Sequence, residues 1–308
     1  MKIAFAGTPT AAIPTLKTLL ESEHEVVVVI TQPPATRGRS KELLPSDIAV
    51  FAAENNLPIF EPVSINTADS IEYLASLNID LAVVVAYGQL LKQPTLDALP
   101  KGWINAHFSL LPAWRGAAPV QAAIIHGDEI TGVSTFQLVA GMDSGPIFGQ
   151  VTTQIQDHET AGELLERLSN LGAELVLQTI NAIDSSDAKA HEQSEVDVSY
   201  APKILPADGE INWQNPALAI TRQIRAFTPN PGAWTTLDGM RIEISTVEMT
   251  DSSDLAVGAL RIEKSAVFVG TGSSEVKLRE VKPSGKGWMD AAAWARGLRS
   301  HSGKFSND

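Results

Sequence analysis

A chain of 308 residues that is 44% hydrophobic carries enough apolar material for a large core, or for one core plus a smaller one, and its net charge of −13 argues against a protein that coats nucleic acid nonspecifically through lysine and arginine. The absence of cysteine excludes disulfides, thiolate nucleophiles and cysteine-ligated metal centres, so any chemistry rests on oxygen and nitrogen groups. No run approaches the roughly 20 apolar residues that cross a bilayer, and Gly7, Pro9 and Pro14 interrupt the first stretch before a signal-peptide core forms, so a soluble, cytoplasmic protein with no membrane association is expected.

Taken in chain order, Lys2–Ala6 and Glu25–Thr31 read as short strands rich in β-branched residues, with a helix from about Ala11 to Glu21 between them. A helix from Ser46 or Asp47 to Asn55, a short strand at Pro58–Phe60, a helix from Thr67 to Leu77 and the apolar strand Leu81–Tyr87 continue the alternation. Trp103–His107 is predicted as a further strand, Pro119–His126 as a helix and Gly132–Val139 as a strand. Such alternation predicts an α/β fold, a Rossmann-like and mainly parallel sheet with helices on both faces. Thr160 and Glu163 have the spacing of a capping box, and Leu164, Leu168, Leu171 and Leu175 fall on one face of the helix that follows, which should close the first domain.

Between about Asp184 and Asp208 the chain turns to Ser, Asp, Ala and Pro with few apolar residues, the composition of a surface linker. The division expected is a first domain over 1–184, a linker over 185–207 and a second domain over 208–308. A helix from Pro216 to Phe227, with Asn215 as its cap, opens that second domain. Short strands follow at Ala233–Leu237, Arg241–Glu248, Ala259–Glu263, Val267–Gly270 and Val276–Val281, which predict a small β-barrel. Residues 1–199 hold 10 Lys and Arg against 24 Asp and Glu, a net −14, whereas residues 200–308 hold 13 against 12, a net +1. The asymmetry permits an RNA partner for the second part without pointing to one, since compositional drift alone accounts for it.

Ala6-Gly7-Thr8-Pro9 follows the first strand where a dinucleotide fingerprint would begin, but the further glycines of that fingerprint are missing and Pro9 lacks the N–H an anion needs. No phosphate loop of the G-x-x-x-x-G-K-[ST] type occurs, so NAD and ATP are disfavoured. The informative stretch is Asn105-Ala106-His107-Phe108-Ser109-Leu110-Leu111-Pro112, with Gly141-Met142-Asp143-Ser144-Gly145 downstream. Residues two apart on a strand point to the same side, so Asn105 and His107 can converge on one reacting atom at a strand end, where open α/β sheets bind ligands. The Gly132–Val139 strand can bring Asp143 beside them. On residue type alone, a strand-end histidine is more often a hydrogen-bonded structural group, and an aspartate in a Gly-flanked loop more often caps a turn. His24, His126, His158, His191 and His301 lie near element ends or loops and read as surface residues. No H-x-x-x-H spacing occurs, so no metal site is expected.

The run Asn105-x-His107-x-Ser109-Leu110-Leu111-Pro112 with Asp143 downstream resembles the signature of the 10-formyltetrahydrofolate-dependent formyltransferases. Ala6-Gly7-Thr8-Pro9, Thr31-Gln32-Pro33, Leu44-Pro45-Ser46, Val84-Val85-Ala86-Tyr87-Gly88 and Trp114-Arg115-Gly116-Ala117-Ala118-Pro119 are similar to those members of the family that formylate methionyl initiator tRNA. The similarity enters the second domain through Ile211-Asn212-Trp213 and Ile224-Arg225-Ala226-Phe227-Thr228-Pro229, and weakens after about Ser245.

What this resemblance implies is formyl transfer from 10-formyltetrahydrofolate to the α-amino group of methionyl initiator tRNA, an OB-like second domain, and no metal. It implies that His107 and Asn105 donate hydrogen bonds to the oxyanion developing on the formyl group, and that Asp143 holds His107 in a useful protonation state and takes the amine proton directly or through water. Ser109, Leu110, Leu111 and Pro112 are implied to lie along the folate, with Tyr87 and Gly88 bringing backbone polar groups to the pterin edge. The segment Pro33-Pro34-Ala35-Thr36-Arg37-Gly38-Arg39-Ser40-Lys41 holds three basic residues in five positions, and the resemblance implies that it meets the acceptor stem of the tRNA through Arg39, with Arg37 and Lys41 adding phosphate contacts. Lys203, Arg222 and Arg225 are the candidates on the second domain, although Arg222 and Arg225 share a helix face and a role in bridging the domains stays open. A monomer is expected. A formyltransferase acting on an amino sugar nucleotide shares Asn105, His107 and Asp143, since these define the chemistry and not the acceptor, and it stands as the alternative.

Overall fold

A computed structural model describes residues 1–36, 42–298 and 303–306, and the chain divides into two compact units. One contains Met1–Pro119, Ile130–Gln154 and Leu165–Ala201; the other contains Val120–Glu129, Ile155–Leu164 and Pro202–Asp308.

The first unit is built on seven strands, β1 (Lys2–Gly7), β2 (Glu25–Ile30), β3 (Ile59–Phe60), β4 (Leu81–Val85), β5 (Trp103–His107), β6 (Ile130–Gln137) and β7 (Ile147–Gln154). Their order across the sheet is β7-β6-β5-β4-β1-β2-β3. All pairings from β3 to β5 are parallel, and β6 and β7 extend the sheet as antiparallel strands. Ile3 to Ala6 and Leu81 to Val83 have no exposure to solvent, so these strands are covered on both faces and read as unbroken apolar runs. On one face Ala4, Ala6, Val28, Ile30, Ala82 and Val84 pack into a single cluster with Leu74 and Trp103. Strand β7 has no sequence-level signal, because IFGQVTTQ alternates half-buried and exposed positions with no apolar stripe. As the edge strand of the sheet, it needs none.

Helices α1 (Ile13–Leu20), α2 (Asp47–Glu54) and α3 (Ala68–Ser76) form the crossovers. The Ser46 hydroxyl accepts from the Ala49 amide and the Thr67 hydroxyl from the Ser70 amide, which fixes where α2 and α3 start. The long helix Ala161–Asp184 starts at the expected box: the Glu163 carboxylate accepts from the Thr160 amide at 2.8 Å and the Thr160 hydroxyl accepts from the Glu163 amide at 3.3 Å. His24 differs from its surface reading, since its side chain is only 5% exposed, with one ring nitrogen 2.8 Å from the Asn181 amide oxygen.

The segment after this helix is polar in composition, yet up to Ala201 it packs on the first unit. Ile147 and His191 exchange backbone hydrogen bonds, and Tyr200–Ala201 pairs in parallel with Arg115–Gly116. It is held through hydrogen bonds and not through an apolar face, so its composition reads as that of a linker.

The second unit carries a six-stranded antiparallel sheet, ordered Ala233–Leu237, Met240–Met249, Val276–Pro283, Val267–Val269, Leu260–Ile262, with Met289–Asp290 added on Val276–Pro283. The sheet curls, because the 303–306 segment bridges to both ends of this order, Ser306 to Thr236 and Lys304 to Ala259. This is the OB-like barrel expected. Helix Ala217–Phe227 buries Ile220, Ile224 and Phe227, and its first amide, that of Ala217, donates to the Ser273 hydroxyl at 3.0 Å. Asn215 is therefore not its cap; a residue from a distant loop takes that place, which local spacing cannot show. Helix Ala291–Ala295 is too short for its period to be read from sequence. No helix among the described residues is long and apolar enough to cross a membrane.

Candidate active site

A cavity of about 380 Å3 opens where β4 and β5 end, lined by Val84, Ala86 to Leu91, Asn105 to Phe108, Gly116, Ala117, Leu138, Val139 and Gly141 to Asp143 among others. Three elements supply it for plain geometric reasons. Asn105 and His107 lie two apart on β5, and β6 leads into the loop that carries Asp143 back to them. Two of the lining residues, Leu90 and Met142, are exposed, by 72% and 59%.

Inside, His107 is 6% exposed and one of its ring nitrogens is hydrogen-bonded. Its Nε2–H donates to the Trp114 carbonyl at 2.8 Å, while Nδ1 faces the Asp143 carboxylate at 3.7 Å. A carbonyl only accepts, so Nε2 carries a proton, and in the neutral form of the ring Nδ1 is the nitrogen left without one. The ring also stands edge-on to Phe136, with centroids 6.4 Å apart. Burial pushes the His107 pKa below the usual histidine range, against the opposing pull of the Asp143 charge and the Trp114 carbonyl. The Asp143 carboxylate accepts from the Gly116 amide at 2.8 Å. Asn105 is half-buried on the cavity wall, and its side-chain amide makes no hydrogen bond among the described residues.

Trp114 and Asp143 both hold the left-handed conformation, at φ of 60° and 44°, which costs a non-glycine residue about 1 kcal/mol or more. Their surroundings compensate for this. The Trp114 amide donates to the Ser199 hydroxyl at 2.9 Å, and the Gln193 amide donates to the Asp143 and Gly145 carbonyls, each at 2.8 Å.

A second wall is the turn after β4, where Ala86 and Gly88 have φ of 48° and 88°. Between them the Tyr87 carbonyl accepts from the Thr8 hydroxyl at 2.7 Å and from the Gln32 amide at 3.2 Å. The Gln89 side chain pins the neighbouring stretch by accepting from the Ile65 amide at 2.8 Å. Tyr87 is 1% exposed, its hydroxyl has no partner among the described residues, and burial raises its pKa.

Of the residues singled out from sequence, Asn105, His107, Asp143, Tyr87 and Gly88 meet at this cavity. Ser109, Leu110, Leu111 and Pro112 do not line it. The Ser134 hydroxyl draws that tetrapeptide onto β6 by donating to the Ser109 carbonyl at 2.7 Å and accepting from the Leu111 amide at 3.0 Å, and Leu110 packs against Gly132. Arg37, Arg39 and Lys41 lie outside the described residues. Lys203, Arg222 and Arg225 belong to the second unit, where Lys203 is exposed, Arg222 packs on the Gly127 backbone and Arg225 donates to the carbonyls of Gln156 and Asp157. Among the described residues no group of three His, Asp or Glu side chains is gathered to hold a metal. Sequence reasoning missed Gln193, Ser199, Thr8 and Gln32 as supports of the site. Thr8 and Gln32 lie within Ala6-Gly7-Thr8-Pro9 and Thr31-Gln32-Pro33, which mark them in the sequence, whereas Gln193 and Ser199 carry no local signal.

A family model described as formyl transferase matches residues 1–180, and one described as formyl transferase, C-terminal domain, matches residues 203–299. A methionyl-tRNA formyltransferase of Thermobifida fusca is 47% identical over 310 residues, covering 100% of both chains. One of Acidothermus cellulolyticus is 47% identical over 316 residues, covering 97% of this chain and 98% of its own. Among solved structures, the N-formyltransferase from Helicobacter canadensis in complex with folinic acid and dTDP-3-aminofucose aligns with a TM-score of 0.69 at 18% identity, covering 90% of this chain and 98% of the other. At that identity the likeness is one of fold.

Proposed function

Since the chain belongs to the methionyl-tRNA formyltransferase family, we propose that its cavity moves the formyl group of 10-formyltetrahydrofolate onto the α-amino group of methionine carried by initiator tRNA, in the cytoplasm. The single observation that carries the chemistry is the convergence of Asn105, His107 and Asp143 on one cavity, with a histidine nitrogen and a carboxylate facing each other across 3.7 Å.

In this reading the amine nitrogen attacks the formyl carbon, a C–N bond forms, and negative charge develops on the formyl oxygen. The uncommitted Asn105 amide donates to that oxygen, an interaction strongest in the transition state and worth on the order of 100- to 1000-fold in rate. Because Nε2 of His107 is held by Trp114, Nδ1 is the working nitrogen. It accepts the proton that the amine loses, and the resulting imidazolium is stabilised by the Asp143 carboxylate beside it. In that protonated form Nδ1–H becomes the second donor to the oxyanion and then returns its proton to N10 as the C–N10 bond breaks. This assigns His107 both tasks in sequence, with Asp143 supporting the charge. An α-amino group has a pKa of about 7.7–8.0, so a free-base fraction is available at neutral pH and a weak base suffices.

Tyr87 and Gly88 form the donor side of the cavity, their backbone groups turned by the left-handed conformations at Ala86 and Gly88. For the acceptor, this reading assigns contact with the acceptor stem to Arg39, and phosphate contacts to Arg37 and Lys41. Lys203 is the freest cation of the second-unit candidates, since Arg225 is engaged by its own unit.

The test offers the purified chain 10-formyltetrahydrofolate with methionyl initiator tRNA, an amino sugar nucleotide and glycinamide ribonucleotide in separate reactions. Formylation of the tRNA alone is expected. Transfer confined to a small amine would keep the catalytic residues and reject the acceptor.

A further inference from the structure

We propose that Gln193 is a positioning residue that sets the spacing between His107 and Asp143, acting as the centre of a clasp formed by residues 193–201. The inference rests on the formyl-transfer reading of the cavity and adds to it a residue that touches neither substrate.

Gln193 uses the full capacity of its amide. Nε and Nη2 of Arg115 both donate to Oε1, at 3.0 and 2.6 Å, and Nε2 donates to the carbonyls of Asp143 and Gly145, each at 2.8 Å. Arginine only donates and carbonyls only accept, so the amide has one allowed orientation. Its two sides therefore tie the Asp143 loop to Arg115.

Arg115 lies at the middle of a run that touches both members of the pair. The preceding residue, Trp114, offers its carbonyl to His107 Nε2, and the following one, Gly116, offers its amide to the Asp143 carboxylate. The far side of the same run is held by the clasp. The Trp114 amide donates to the Ser199 hydroxyl, the Arg115 amide to the Ser199 carbonyl at 2.9 Å, and the Ala117 amide to the Ala201 carbonyl at 2.8 Å. Gly116 runs so close to Ala201 that an added Cβ would stand 2.6 Å from its carbonyl oxygen.

The clasp is needed because Asp143 sits in a loop whose neighbours Gly141 and Met142 are exposed and whose own φ of 44° is unfavourable. Such a loop relaxes toward extended backbone unless its carbonyls are tethered. Gln193 is absent from the cavity lining, so its effect on the reaction passes through Asp143.

The test uses the full chain with two variants, Gln193→Leu, which removes all four hydrogen bonds, and Gln193→Glu, which keeps an acceptor for Arg115 and loses both donors. Both are expected to lower kcat by about 10- to 100-fold, with KM for 10-formyltetrahydrofolate within about twofold, because the donor wall at Tyr87 and Gly88 is untouched. Ring-proton NMR of His107 supplies a readout that a merely structural role would not move. In Gln193→Leu its titration midpoint is expected to fall, because a released carboxylate no longer favours the imidazolium. A wild-type kcat with an unshifted midpoint in Gln193→Leu overturns the proposal. If that variant does not fold, a wild-type kcat in Gln193→Glu overturns it instead. An unmodified chain that formylates no acceptor rejects the reading of the cavity, while the His107 titration still decides the clasp.

Discussion

His107 owes its role to the bond it makes on the side away from the reaction. With Nε2–H held by the Trp114 carbonyl, the ring cannot flip to present that nitrogen to substrate, and Nδ1 alone is left to exchange protons. Burial holds the ring neutral near neutral pH, which keeps Nδ1 a base, and the Asp143 charge limits how far the pKa falls. Titration of the His107 ring protons by NMR is expected to give a midpoint below the ordinary value of about 6.5. Asp143→Asn is expected to lower it further, since the neutral amide no longer favours the imidazolium; a midpoint that rises would contradict this account. A histidine whose folded pKa lies below its unfolded one binds more protons when unfolded, so its contribution is present above the unfolded value and is lost as pH falls toward the folded one. That Asn105 and His107 share a strand face was legible, because period-two geometry is local. The identity of the proton-bearing nitrogen was not, because Trp114 reaches the ring only through a left-handed turn.

Among the elements, the turn after β4 shows how two separate strands prepare a binding wall. Thr8 follows β1, Gln32 follows β2, and both donate to the Tyr87 carbonyl, so the ends of three neighbouring parallel strands are tied at one atom. Thr8→Val keeps the shape and removes the shorter bond, at a cost of about 1 kcal/mol. The expected result is a several-fold rise in KM for the folate donor with kcat little changed, read from steady-state kinetics with the acceptor saturating. A loss of kcat at unchanged KM would show that the wall serves the reacting centre and not the donor. The motif Ala6-Gly7-Thr8-Pro9 lacks the glycines of a nucleotide fingerprint, and its hydroxyl instead supports a loop from another strand. Strand β7 and the Asn215 reading illustrate the opposite limit. An edge strand needs no apolar stripe, and the amide at the start of Ala217–Phe227 is satisfied by Ser273, 56 residues away.

At the level of the whole molecule the charge is uneven, −14 over residues 1–199 and +1 over 200–308, so a polyanionic acceptor meets repulsion that a few well-placed cations must overcome. Acceptor binding is then expected to weaken with salt along a shallow line, each phosphate contact adding about 0.7–0.9 to the slope of log affinity against log salt. Arg39→Ala is expected to raise KM for the tRNA and to flatten that slope by about one contact, with kcat retained. An unchanged slope would remove Arg39 from the interface.

What the sequence determined by itself is whatever depends on near neighbours along the chain. The strand and helix alternation, the cores of β1 and β4, the capping box at Thr160 and Glu163, and the pairing of Asn105 with His107 all rest on periods of a few residues. What only the tertiary structure decided are the contacts that close over long separations. Arg115 meets Gln193 across 78 positions, Gln193 meets Asp143 across 50, and residues 303–306 join both ends of the second sheet. A side-chain amide saturated by an arginine and two carbonyls leaves no periodicity and no composition to read, because each partner is an ordinary polar group until the fold brings them together.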